Sequence, residues 1–273
     1  MEWSKAKNIL IVLLVVVDVF LLGMYIWRTE TAKKEEHALR VEVCDVLRNM
    51  GISVSEDMIP KDSMGVSPAI ISLHSIGRKD AERLLGNVTE STSEDSTTFS
   101  GEKGTLMITK DSFSIVYESG RQVLGTEKAK TLAREIATAL SVEAEEKNFV
   151  CKKDDGGYIV TIRQIFSDAE LFDCDVEMKI SENGSVIVSG KYICEGEITT
   201  YSGDVLSASA VMLAFADEVK KQGLRDVNVE SINMGYAPKV SDGERLSLAP
   251  TLGIRTNHGM FLVDMQTERI SVE

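Results

Sequence analysis

The stretch FDCDVEMKISENGSVIVSGKYIC, residues 172–194, decides the fold class. Phe172, Cys174, Val176, Met178 and Ile180 alternate with Asp173, Asp175, Glu177 and Lys179. That period of two predicts a strand with one face in a core and the other in solvent. Asn183-Gly184 then separates it from a second apolar run, Val186–Cys194. An Asn-Gly pair between two such runs predicts a type I′ hairpin. Working outward, Asp155-Gly156-Gly157 supplies a turn before a strand over Tyr158–Phe166. Upstream of these strands, Thr126 is placed to cap a helix that presents Ala129, Leu132, Ala133, Ile136 and Leu140 on one face. Downstream, Asp204–Gln222 reads as a helix packing Val205, Ala208, Met212, Phe215 and Val219 and stopping at Gly223. Strands over Val227–Tyr236, Leu248–Thr256 and Met260–Asp264 follow. The order helix, antiparallel strands, helix, strands predicts an α+β domain with its helices on one sheet face.

The preceding part is less regular. Lys33–Met50 reads as an amphipathic juxtamembrane helix, with Leu39, Val43, Val46, Leu47 and Met50 at helical spacing and Gly51 as its stop. A strand Ile52–Ser55, an apolar run Ala69–Leu73 and a short helix over Lys79–Leu85 come next. Asn87–Ser100, rich in Ser, Thr and Glu, reads as a solvated turn region with little strand. Thr105–Thr109 and Phe113–Tyr117, joined through Lys110-Asp111-Ser112, predict a hairpin. Gly120–Gly125 marks the expected boundary between a first α+β domain, 51–125, and a second, 126–273. A helix ended near Gly or Ser and followed at once by a strand recurs at Asn49–Val54, Leu140-Ser141-Val142 and Gln222–Val227, which hints at duplication of a small α+β unit.

Residues 9–27, ILIVLLVVVDVFLLGMYIW, are nineteen residues with one charge. As a helix they would be about 28 Å long, the thickness of a hydrocarbon core, so they predict a single transmembrane helix behind a short cytoplasmic head, 1–8. The run is too long for a signal-peptide core, and no small-x-small cleavage site closely follows Trp27, so the anchor is expected to stay uncleaved. Trp3, Lys5 and Lys7 before the span and Tyr25 and Trp27 at its end are placed as interfacial anchors. Residues 28–50 then link the membrane to the exported domains, so the amino terminus is expected inside and the carboxyl-terminal domains outside. Asp18 stands at mid-span, where a charge costs roughly 2.5–3.5 kcal/mol on insertion scales. It is either protonated and tolerated or in contact with another transmembrane helix, and helical spacing puts Leu14, Asp18, Leu22 and Tyr25 on the face that would make the contact.

Charge and chemistry narrow the function. The chain carries 30 basic and 43 acidic residues, a net −13, and all of it falls on residues 28–273 because Lys5 and Lys7 cancel Glu2 and Asp18. An acidic surface of this size repels phosphate backbones and argues against nucleic-acid binding. His37, His74 and His258 lack the spacing of helical metal ligands and read as surface or rim histidines. Asp154-Asp155 and Asp173-x-Asp175 read as turn chemistry and a solvated strand face, not as a calcium site. Cys174 reads as a core residue, and Cys44, beside Glu42 and Asp45, as a poor nucleophile. A Cys151–Cys194 bridge is conceivable in an oxidising compartment. No nucleophile elbow, zinc-protease motif, phosphate loop or dinucleotide fingerprint occurs. No metal, cofactor or catalytic residue is therefore expected, and the chain reads as a non-enzyme.

The opening Met1-Glu2-Trp3-Ser4-Lys5-Ala6-Lys7, followed by an apolar span containing Asp18-Val19-Phe20-Leu21-Leu22, resembles the amino terminus of the YycI family, whose members open M-D-W-S-K-x-K and carry N-V-F-L-L in the membrane. The likeness continues weakly through Gly157-Tyr158, Asn183-Gly184, Ile232–Tyr236 and Phe261–Asp264. It implies a membrane-anchored accessory regulator of a Gram-positive cell-wall sensor histidine kinase of the YycG (WalK) type, acting with a sister protein, YycH. It also implies domains similar to those of YycH and to the small PepSY module. A second reading therefore stands beside the first: an anchored PepSY-like binding or inhibitor module for a peptide or wall fragment.

Overall fold

A computed structural model describes residues 2–61, 66–110, 112–166, 169–241 and 243–272, apart from the side chains of residues 2–6, 8–10, 12, 33, 240 and 241. Four helices stand among many strands: α1 (Glu2–Asn49), α2 (Arg78–Leu85), α3 (Thr126–Ala139) and α4 (Ala208–Lys221). An eight-stranded antiparallel sheet is built from β3 (Val88–Thr92), β4 (Ser96–Gly101), β5 (Gly104–Thr109), β6 (Phe113–Glu118), β7 (Phe149–Asp154), β8 (Gly157–Ile162), β11 (Val176–Ser181) and β12 (Ser185–Gly190), in the order β3-β4-β5-β6-β12-β11-β8-β7. The second, nine-stranded sheet has as its spine a long hairpin of β14 (Val227–Ser241) and β15 (Arg245–Thr256). One edge of that spine carries β2 (Ala69–Leu73), extended by β13 (Cys194–Thr200), and β16 (Gly259–Asp264), extended by β17 (Ile270–Val272). The other edge carries β1 (Ile52–Ser53) and β10 (Ala169–Leu171), both parallel to β14, with β9 (Ile165–Phe166) beyond β10. The fold is α+β, as the sequence pattern predicts.

One unit occurs three times: a helix followed by an antiparallel meander of four strands. α2 leads β3 to β6, α3 leads β7, β8, β11 and β12, and α4 leads β14 to β17. The first two units join along their last strands, β6 and β12, with Val186 opposite Tyr117 and Val188 opposite Ile115. They share one core, to which α2 gives Ala81, Leu84 and Leu85 and α3 gives Ala129, Leu132, Ala133 and Ile136. Against these faces pack Phe99, Leu106, Val160, Met178 and Ile180, all alternating inward from their strands. α4 covers the third meander through Val211, Met212, Phe215 and Val219, and the Phe215 ring meets Phe261 edge-on at 5.1 Å between centroids.

The architecture corrects several expectations. The boundary at 125/126 does not follow the sheets: β6 pairs with β12 and β2 pairs with both β13 and β15, so residues 51–125 and 126–273 are interleaved. Asn87–Ser100 is not a turn region but β3 and β4, whose polar residues face solvent beside the single buried pair Val88 and Phe99. Strand β8 stops at Ile162 and β12 at Gly190, because the chain leaves one sheet for the other at both places. The 183–184 hairpin has three loop residues, not two: Ile180 pairs with Val186, and only Gly184 takes a positive φ, +91°. Thr126 is the first helical residue and Gly125 the cap. Phe172 and Cys174 are buried as expected but not with Val176, Met178 and Ile180; the Phe172 ring lies against Gly235 and Gly253, where any added Cβ would approach it within 3 Å. Of the three duplication points, the first leads only into β1, while Leu85-Gly86-Asn87-Val88 has the same helix-stop-strand form and heads a full unit.

The span and the juxtamembrane helix form one helix, α1, without a break. Its last turns enter the core beside α4 through Val43, Cys44 and Leu47, whereas Leu39 and Val46 of the expected stripe stay exposed. Among the described residues no helix is long and apolar enough to cross a membrane.

Gln164 occupies the point where the sheets meet. It is fully buried in one of four crossings between them, Ile162 to Ile165; the others are Leu73 to Val88 through α2, Leu171 to Val176 and Gly190 to Cys194. Its Nε2 donates to the carbonyls of Cys174 and Tyr192, its Oε1 accepts from the Cys194 amide at 2.8 Å, and its own carbonyl accepts from the Leu171 amide at 2.9 Å. Gln164→Leu would strand the Cys174 carbonyl and the Cys194 amide in the buried junction, each costing about 1–3 kcal/mol. Urea unfolding of the variant should show a loss of about 2–6 kcal/mol; a loss under about 1 kcal/mol would mean that water replaces the amide. Phe215→Ala should cost about 3–5 kcal/mol in the same assay, and Lys179→Ala, on an exposed strand face, should be nearly neutral.

Candidate functional site

A cleft of about 900 Å³ opens where α1 meets the nine-stranded sheet. Its floor is made by Ile232, Met234 and Tyr236 of β14 together with Ile165 of β9 and Ala169 of β10. β14 can offer these three residues because its side chains at even positions share one face. The facing wall is Met58-Ile59-Pro60, a 3-10 turn and its exit, held by hydrogen bonds from the Met58 and Ile59 amides to the Ser55 and Glu56 carbonyls. Charges ring the opening: Arg40 from α1, Asp57 and Lys61 from the wall, and Glu170 from β10. Glu170 also lies 3.6 Å from the Arg163 guanidinium.

The cleft is tied to α1 by Glu56. Its carboxylate meets His37 Nδ1 and, at 3.6 Å, the Arg40 guanidinium, two groups that stand nearly one helical turn apart on α1. Arg40 Nε is buried and has no hydrogen-bond partner among the described residues. Burial pushes the Tyr236 phenol above its ordinary value, because the phenolate would lose its hydration on the cleft floor. An apolar floor with mixed charges at the mouth suits a chain segment with alternating apolar and charged groups better than it suits a single ion.

Other predicted residues fall elsewhere. Leu14, Asp18, Leu22 and Tyr25 share one exposed face of α1 and none reaches the cleft. Lys7 and Trp27 are exposed, while the side chains of Trp3 and Lys5 lie outside the described residues. His74 is less peripheral than expected: Nδ1 lies 3.2 Å from Glu195 on β13 and Nε2 3.2 Å from the buried Asp80 on α2, the latter without hydrogen-bond alignment. His258 Nε2 faces the Arg225 carbonyl. Among the described residues no cluster of His, Cys, Asp and Glu is arranged to hold a metal. Cys44 is buried, and that burial, ahead of nearby Glu56, raises its thiol pKa, so the poor nucleophile is poor chiefly for want of solvent. Cys151 on β7 and Cys194 on β13 belong to different sheets and different cores, so the bridge considered from sequence is not formed; Cys194 sits instead beside Cys174. The cleft itself had no motif to announce it, since five separate segments assemble it.

No family model matches the sequence, and no curated protein matches it. Solved structures do match, two of them as follows. An uncharacterized protein from Eubacterium rectale ATCC 33656 aligns over 76% of this chain and 86% of its own with 14% identity and a TM-score of 0.51. The C-terminal domain of YpeB from Bacillus megaterium aligns over 71% of this chain and 95% of its own with 13% identity and a TM-score of 0.37.

Because the Tyr236 pKa is raised, the neutral phenol is favoured in the folded state. Its contribution to stability is complete below about pH 10, the unfolded value, and is lost as pH climbs through the higher folded value. Tyr236→Phe should therefore flatten the alkaline decline of stability above about pH 10, and the wild-type minus variant absorbance should place this phenolate above the ordinary tyrosine range. Ionisation at or below about pH 10 would show that the floor is wet.

Proposed function

We propose that the chain is a non-catalytic, membrane-anchored regulator of a cell-wall sensor histidine kinase in a two-component system, acting through α1 in the bilayer and through its sheet domains outside, alongside a YycH-like protein. The observation that supports this most directly is the continuity of α1. A helix that runs from the apolar segment into the domain core, without a Pro, Gly pair or bulge to absorb motion, moves as a rod. Its end is fixed by Val43, Cys44 and Leu47 against Val211, Met212 and Phe215. Displacement on either side of the membrane is then felt on the other. The apolar run 9–27 and the opening resembling YycI supply the anchor and the partner class.

The cleft favours the second reading, an anchored PepSY-like module that binds a peptide or wall fragment and has no kinase partner. Co-purification from membranes separates the two, because capture of a histidine kinase supports the first and its absence the second. Protease added to intact protoplasts should remove residues beyond about 35 and leave the amino terminus with the membrane; a mature chain beginning after Trp27 in the medium would overturn the anchor.

Interhelical polar contacts in lipid contribute only about 0.6 kcal/mol on average, up to roughly 2. Asp18→Asn should therefore preserve kinase association and Asp18→Leu should weaken it. Reshaping Leu14, Asp18 and Leu22 together should release the kinase and change its output, whereas changes at Val12, Val16 and Phe20 should not. Equal loss from both faces, read by crosslinking in membranes, would reduce the span to a generic anchor.

A further inference from the structure

Cys174 and Cys194 are both fully buried in the small core at the sheet junction. Cys174 stands two residues before β11, and Cys194 begins β13 four residues after β12 ends, so they lie at the two legs of the β11-β12 hairpin where it leaves the eight-stranded sheet. One carboxamide holds both main chains there: Gln164 donates to the Cys174 carbonyl and accepts from the Cys194 amide. Outside, Lys191 pairs with Asp173 across the same two legs. Both thiols are enclosed in this one small core, and Cys194 is the first cause that raises the Cys174 thiol above its ordinary value. Cys151 lies in the other core and Cys44 beside α4, so neither competes for this pairing.

We infer that Cys174 and Cys194 are the site of a disulfide that closes the base of this hairpin and latches the sheet junction. The inference rests on the extracytoplasmic placement proposed above, since only an oxidising compartment supplies the oxidant, a protein or small-molecule disulfide. One cysteine thiolate attacks that disulfide, forming a mixed disulfide and releasing one thiol. The second cysteine then attacks the protein-side sulfur, forming the 174–194 bond and releasing the second thiol. Two protein thiols are oxidised, one external disulfide is reduced to two thiols, and the protons lost by the cysteines appear on them. In the folded chain the Cys174 thiol is held protonated by its hydrogen bond to Cys194 and by burial, and no oxidant reaches it. The bond therefore forms as the junction closes during folding, and once formed it resists reductant until the junction opens.

The test uses the full chain in detergent, reduced and unfolded, then refolded with a mixture of reduced and oxidised glutathione. After alkylation of free thiols, peptide mapping should find 174 joined to 194, with Cys44 and Cys151 alkylated. Four alkylated cysteines, or bonds scattered over other pairs, would overturn the pairing. The oxidised form should melt several degrees above the reduced form; equal midpoints would overturn the latch. In acid-quenched cells, two of the four thiols should react with maleimide. Four reactive thiols in cells, with the bond forming readily in vitro, would overturn the placement outside the membrane and leave the pairing intact.

Discussion

Everything in this fold passes the side chain of Gln164. Three of the four crossings between the two sheets meet there, and a crossing exposes main-chain amides and carbonyls that neither sheet can pair. With water excluded, each would cost more than a typical hydrogen bond returns. One carboxamide, which both donates and accepts, meets groups from the other two crossings while its own carbonyl takes the Leu171 amide. No apolar residue could do this, and a carboxylate could only accept. The junction fixes where β8 and β12 stop and where β11 starts, and so places β9, β10 and β13 in the other sheet.

That constraint explains why the molecule is not a string of domains. The second helix-and-meander unit is split by the excursion through β9 and β10, which carries it into the nine-stranded sheet to pair with β14. The same excursion supplies two of the five floor residues of the cleft, Ile165 and Ala169. A site between α1 and β14 thus exists only because a buried amide lets the chain leave one sheet and return.

The parts legible in the sequence were those set by local periodicity. α3, α4, the β5-β6 hairpin and the β11-β12 hairpin follow from apolar spacing, and the inward residues Leu132, Ile136, Met178 and Ile180 are all buried. Which core each residue joins was not legible. Phe172 and Cys174 continue the alternation of Val176 and Met178 but belong across the junction, because period two reports which side of a strand is covered and not where the strand ends. β3 and β4 were hidden for the opposite reason: an outer hairpin needs only Val88 and Phe99 inside, so its Ser and Thr residues resemble a loop. Gln164 was hidden by its neighbour, since Arg163-Gln164 between Ile162 and Ile165 looks like a polar, solvent-facing pair.

Magnitudes decide how cleft and helix can be coupled. Glu56 bridges the cleft wall to the exposed His37, a contact of a kind that contributes only about 0.2–1 kcal/mol, and to the more covered Arg40, whose guanidinium stays 3.6 Å away. A ligand that broke the His37 contact would shift a two-state equilibrium by less than about tenfold. Val43 and Leu47, by contrast, are buried against α4, and emptying positions of that kind costs several kcal/mol. The ion pairs can therefore set the tilt of α1 at its exit from the domain, yet they cannot pull it out. A signal carried by this protein would be a rotation or tilt of a helix that stays docked, transmitted through a rod and read by whatever faces Leu14, Asp18 and Leu22.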